Sequence, residues 1–97
     1  MCVRAGQRSS IVVIMSLDDR SRRIRRDSAT SVAGQVARDL EADIDSGAIP
    51  RDTRLPSETE LAAQYGVARI TVRAAIAMLR EAGKVVTVHG RGSFTAP

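Results

Sequence analysis

Arg69 and Arg73 stand four residues apart in the stretch RITVRAAIA, residues 69–77, so a helix would send both guanidinium groups out on one face. A guanidinium is a planar fork of N–H donors that keeps its charge. It pairs with a carboxylate, a phosphate or the O6 and N7 edge of guanine through two parallel hydrogen bonds. Ile70, Ala74 and Ala77 share the outward side, and the two alanines keep it low. Val72, Ala75, Ile76 and Leu79 gather instead within about a third of the circumference and form the stripe to be buried. A helix face serving only solubility would mix in glutamate and glutamine, yet no acid appears before Glu81. A low surface with projecting cations suits insertion into the major groove of a duplex.

That helix needs elements to aim it. The spacing predicts it over about residues 69–82, ended by Gly83. Just before it, Ser57 and Glu60 have the spacing of a capping box, Leu61 and Ala62 point inward, Tyr65 closes a short helix and Gly66 ends it. Only Val67 and Ala68 separate Gly66 from the next helix, which forces a steep crossing: a helix-turn-helix. An earlier helix is marked by Val32, Val36, Leu40 and Ile44, with Ser31 as N-cap and Gly47 and Pro50 as the stop. Its other face carries Asp39, Glu41, Asp43 and Asp45. A calcium loop from Asp43 would need an oxygen ligand at its fifth position and glutamate at its twelfth, where Gly47 and Arg54 stand, so these acids read as a solvated face. After Gly83, Lys84–Val88 reads as a strand, Ser93–Thr95 as its return and His89-Gly90-Arg91-Gly92 as the turn, a wing whose Arg91 can reach a minor groove or flanking phosphates. The expected fold is mainly α with a small β-hairpin: a winged helix-turn-helix of three helices and a two-stranded wing.

Composition agrees with a small single domain. The chain has 97 residues, 43% of them hydrophobic, with Tyr65 and Phe94 as its aromatics, so the core must be mostly aliphatic. Charge is divided along the chain. Residues 1–27 carry seven arginines and three aspartates, residues 28–68 three basic and seven acidic side chains, and residues 69–97 five basic side chains against Glu81. Two basic ends thus flank an acidic middle, the polarisation expected where one face meets a polyanion. Residues 1–27 read as a disordered basic tail ahead of a domain over 28–97; the alternative for Arg20–Arg26 is an arm lying along phosphates or in a minor groove. The run IVVIM, residues 11–15, is too short for a signal-peptide core or a membrane span, and Met15 is an alternative start of translation. Cys2 and His89 are too few for a disulfide or a zinc site, and one cysteine fits a reducing cytoplasm. Neither a cofactor motif nor a nucleophile–base pair is present, so no catalytic, cofactor-binding or metal-binding residue is assigned and an enzyme is not expected.

The stretch LPSETELAAQYGVARITVRAAIAMLREAGKVVTVHGRGSFTA, with QVARDLEADIDSGAIP before it, closely resembles the amino-terminal winged-helix domain of the GntR family of bacterial transcription regulators. LPSE, YGV, the arginine and TVR of the third helix, and GRGSF stand in the family's order and spacing over roughly residues 31–96. The resemblance implies DNA contacts from Arg69, Ile70 and Arg73 on the recognition helix and a phosphate contact from Thr71. It also implies backbone contacts near Ser57 and Thr59, and wing contacts from His89, Gly90 and Arg91. Ala68 departs from the usual serine or threonine, Arg51 from a frequent glycine and Lys84 from a frequent apolar residue; Ser93 and Thr95 are polar variants.

The expected function is a sequence-specific, double-stranded-DNA-binding transcription regulator, a cytoplasmic repressor that acts by occupying an operator. Two copies would pair weakly on DNA, with no membrane association and no small-molecule effector site in this chain. The alternatives are a winged helix turned protein-interaction module and a truncated form of a longer, effector-responsive regulator. Single-strand or RNA binding would call for stacking aromatics on an open platform, and Tyr65 and Phe94 are both explained by packing.

Overall fold

The computed structural model describes residues 19–97. The expectations for residues 1–18, the IVVIM run and the alternative start at Met15 among them, lie outside the described residues. A 3-10 turn at Ser21–Arg23 comes first. The helices α1 (Val32–Ser46), α2 (Glu58–Tyr65) and α3 (Arg69–Glu81) follow, then β1 (Val85–Val88) and β2 (Gly92–Thr95). This is the expected three-helix, two-stranded winged architecture.

Local chemistry sets each boundary. Ser31 Oγ accepts from Gly34 N at 3.0 Å to start α1, and Gly47 ends it at φ 86°, in the left-handed region that favours glycine. The capping box on α2 is formed in both directions, Glu60 N to Ser57 Oγ at 3.1 Å and Ser57 N to Glu60 Oε1 at 2.9 Å. α3 starts without such help: Ala68 occupies its N-cap and offers no side-chain acceptor. Substituting Ala68→Ser is expected to stabilise the domain by about 1 kcal/mol, read as a higher denaturation midpoint at unchanged slope.

The three helices bury Val36, Leu40, Leu61, Tyr65, Val72, Ala75 and Leu79 against one another, and Ile49, Leu55 and Val85 close the core from the loops and the wing. β1 and β2 pair antiparallel, from Val85 opposite Thr95 to Val88 opposite Gly92. The far edge of β2 is taken by the segment leading into α2. Thr95 N donates to Thr53 O at 2.8 Å, Leu55 N to Ser93 O at 2.9 Å, and Arg54 bridges Phe94. Thr95 is fully buried, with its hydroxyl accepting from Thr53 N at 2.8 Å and donating to Pro50 O at 2.7 Å. Its departure from an apolar residue thus serves to lock the wing to the segment that aims α2.

Two sequence expectations need correction here. The basic run from Arg20 is not a free tail: residues 19–27 pack on the body, and Arg20 is buried. Arg20 N donates to Gln64 O at 2.8 Å, and its Nη1 lies 2.8 Å from Asp39 Oδ2, 2.6 Å from Asp43 Oδ2 and 3.1 Å from the Tyr65 hydroxyl. Arg23 adds a 2.9 Å pair to Asp39, while Arg26 Nη2 donates to Gly66 O at 3.0 Å. Gln35 clasps the strap's backbone at Arg25 in both directions. The acids of α1 are accordingly not a purely solvated face. Asp39 and Asp43 hold Arg20, and Asp45 holds Lys84 at 2.7 Å. Lys84, where an apolar residue is frequent, keeps its ammonium at the surface beside Asp45.

The network fixes a pH response. Burial disfavours the Asp39 carboxylate, but hydrogen bonds from Tyr65 and Arg20, the charge of Arg20 and a bond from Arg23 outweigh it and hold its pKa below the ordinary 3.8. Burial and the Asp39 bond push the Tyr65 hydroxyl far up, so it remains a donor at any workable pH. A depressed folded-state pKa contributes stability that is fully present above the unfolded value and is lost as pH falls through the folded one. The melting temperature should therefore stay level from neutral to about pH 5 and fall below about pH 4, with a shallower fall in Asp39→Asn.

Candidate nucleic-acid interface

The outward face of α3 is as low and as basic as its sequence suggests. Arg69, Ile70, Arg73 and Ala74 are exposed, and Thr71 and Ala77 are half-buried. Ile70 is 70% exposed, an apolar side chain left largely open to solvent on the same helix as the two arginines. Arg69 is exposed and makes no hydrogen bond or ion pair among the described residues.

Arg73, on the same outward face, is already engaged within the domain. Its Nε and Nη2 donate to the two carboxylate oxygens of Glu58 at 3.1 and 3.0 Å, a bidentate pair across the helix-turn-helix. The hydrogen bond and the charge of Glu58 raise the Arg73 pKa. In return the hydrogen bond from Arg73 holds the Glu58 carboxyl low against slight burial, helped by the charges of Arg73 and Arg69. Both side chains remain largely exposed, at 60% and 41%, so the pair is cheap to exchange. The Nη1 edge of Arg73 stays available, and Glu58 limits the angles at which it can be presented. Glu58 was missed in the sequence because its partner lies 15 residues away, beyond any helical repeat.

The other candidate residues lie around this face. Ser57 and Thr59 are exposed at the start of α2, with the Ser57 oxygen already accepting its capping bond. His89, Gly90 and Arg91 are exposed at the tip of the wing, where Arg91 N donates to Val88 O at 2.9 Å and Gly90 adopts φ 78°. Arg80 Nη1 donates to Thr87 Oγ1 at 3.0 Å and ties the last turn of α3 to the wing. The Glu58–Arg73 pair therefore joins the α2 and α3 residues, while the wing is joined to α3 through the Arg80–Thr87 hydrogen bond and the packing beneath. Among the described residues no cluster of His, Cys, Asp or Glu is placed to hold a metal ion, and no helix is long and apolar enough to cross a membrane.

Two helices joined by the short turn at Gly66–Ala68, the second with an exposed basic face, and a following hairpin define a winged helix-turn-helix domain. The family description "Bacterial regulatory proteins, gntR family" matches residues 32–95. The chain belongs to the GntR family. It is 43% identical over 84 residues to the HTH-type transcriptional regulator Rv0792c of Mycobacterium tuberculosis, covering 87% of this chain and 31% of that protein. With the HTH-type transcriptional repressor NagR of Bacillus subtilis it shares 36% identity over 73 residues, 75% of this chain and 30% of that protein. The chain thus spans about a third of the length of these curated relatives. Among solved structures, the DNA-binding domain of AraR in complex with operator ORX1 superposes with a TM-score of 0.64 at 39% identity, over 66% of this chain and 77% of that one. YtrA from Sulfolobus acidocaldarius, a GntR-family transcription factor, gives 0.70 at 31% identity, over 76% and 78%.

Proposed function

We propose that this chain is a sequence-specific, double-stranded-DNA-binding transcription regulator that works in the bacterial cytoplasm and represses by occupying an operator. One observation carries the reading: the α3 face presents an unpaired Arg69, a braced Arg73 and an exposed Ile70 on a low alanine surface, with the wing beside it. The operator complexes of AraR, whose DNA-binding domain is similar over two thirds of this chain, support it. In this reading α3 enters the major groove, where Arg69 and Arg73 address guanine edges and Ile70 packs on a thymine methyl. Thr71, Ser57 and Thr59 meet phosphates, and His89, Gly90 and Arg91 lie along the adjacent minor groove or backbone. Two copies on neighbouring half-sites, weakly associated, complete the arrangement, with no effector held by these residues. The chemistry is recognition, with no reaction catalysed.

Selection of binding sites from random duplexes tests this. An enriched motif, with affinity falling steeply as salt rises, is the expected result. Failure to enrich any motif would favour the protein-interaction reading instead.

A further inference from the structure

Arg54 belongs to neither the recognition helix nor the wing turn, yet the fold places it between the start of α2 and the wing. Its backbone bridges Phe94 of β2, so it forms a single-residue third rung on the outer edge of the wing. Leu55 N to Ser93 O at 2.9 Å and Thr95 N to Thr53 O at 2.8 Å pin it on both sides. The exposed side chain turns back toward the wing turn: a Cβ built on Gly92 would lie 3.5 Å from Arg54 Nε and 3.8 Å from Nη2. The guanidinium thus lies along Gly92, next in the chain to Arg91.

It also borders a groove of about 280 Å3 whose rim includes Ser57 and Glu58 on one side and Thr87, Gly92 and Ser93 on the other. Arg73 at the neighbouring α2–α3 junction is engaged by Glu58, and elsewhere in the domain Lys84 is held by Asp45 and Arg20 and Arg23 by Asp39. Arg54 makes no hydrogen bond or ion pair among the described residues. The sheet rung anchors the Arg54 backbone between two elements proposed to touch one duplex, so the unneutralised head group is tethered at a fixed point of the surface. The glycine beside it leaves the approach open.

The geometry points to Arg54 as a further DNA-contact residue, binding a backbone phosphate of the duplex in the gap between the start of α2 and the wing. This rests on the DNA-binding reading above. Such a contact reads no base; it fixes how the wing and α3 are seated together on the duplex.

Fluorescence anisotropy on a selected site and a scrambled duplex, across a salt series, tests it with Arg54→Gln, Arg54→Lys and Arg69→Ala. Arg54→Gln should weaken both duplexes by a similar factor, about fivefold at low salt, and flatten the slope of log affinity against log salt by about one. Arg54→Lys should restore the slope, with an unchanged melting temperature in both variants. Unchanged affinity and slope in Arg54→Gln would overturn the assignment. So would a loss confined to the selected site, or a loss shared by Arg54→Lys together with lowered melting, which marks a structural prop. If the unsubstituted chain binds no duplex, the DNA-binding reading fails and this inference with it. If it binds and responds to Arg69→Ala but not to Arg54→Gln, only the inference falls.

Discussion

Replacing Arg20 by alanine is expected to destabilise the domain by about 2–3 kcal/mol, a large part of the total for a fold of this size. The Arg20 side chain is 8% exposed, and the two carboxylates that share its Nη1 are 21% and 22% exposed. Its guanidinium also stands 5.8 Å from the centroid of the fully buried Tyr65 ring. Without it, Asp39 and Asp43 face each other with only Arg23 left on Asp39, and the buried Tyr65 hydroxyl keeps a single partner. Partial exposure lets the carboxylates rehydrate, which places the cost below that of a wholly buried pair. A chain beginning at residue 28 should lose a similar amount, because it removes the same cation together with the strap's bonds to Gln64 and Gly66. Chemical denaturation reads both. A change below about 0.5 kcal/mol in either would make the strap a passenger and restore the boundary at residue 28.

The second large effect concerns recognition. Arg69→Ala should cost about 1–3 kcal/mol on a selected duplex, roughly 5- to 150-fold in affinity, and much less on a scrambled one. The difference follows from its unpaired fork: the donors are spent on nothing in the free domain, so all of them are available to a base edge. Arg73→Ala carries an added penalty because it strands the Glu58 carboxylate beside the duplex, where an unneutralised anion repels phosphate. Adding Glu58→Gln to Arg73→Ala should therefore recover part of the loss, and the non-additivity measures how far Glu58 acts through Arg73. Equal losses on both duplexes would make Arg69 a phosphate contact and leave sequence reading to other residues.

What could be read from the sequence, and what could not, divides by range. The α1 stripe of Val36 and Leu40, the Ser57–Glu60 box, the glycine stop at Gly66 and the hairpin turn all follow from patterns within about seven residues, where period and capping dominate. The outward placement of Arg69 and Ile70 followed from the same periodicity. The features that escaped are pairings across the fold. Arg20 meets Tyr65 over 45 positions, Arg73 meets Glu58 over 15, and the rung at Arg54 lies opposite Phe94. Charged partners at such separations leave no periodic trace, so a run of arginines reads as a tail and a row of aspartates as a solvated face until packing brings them together. Ala68 shows the opposite case: its missing cap was legible as a single substitution and is seen unchanged at the start of α3.

One experiment bears on the whole reading at once: following backbone amide resonances of the isotope-labelled chain as a selected duplex is added. Shifts concentrated at residues 57–59, 69–74 and 89–91, with the acidic side of α1 silent, are the expected outcome. Shifts centred on α1, or a recognition helix that stays silent while binding proceeds, would contradict it.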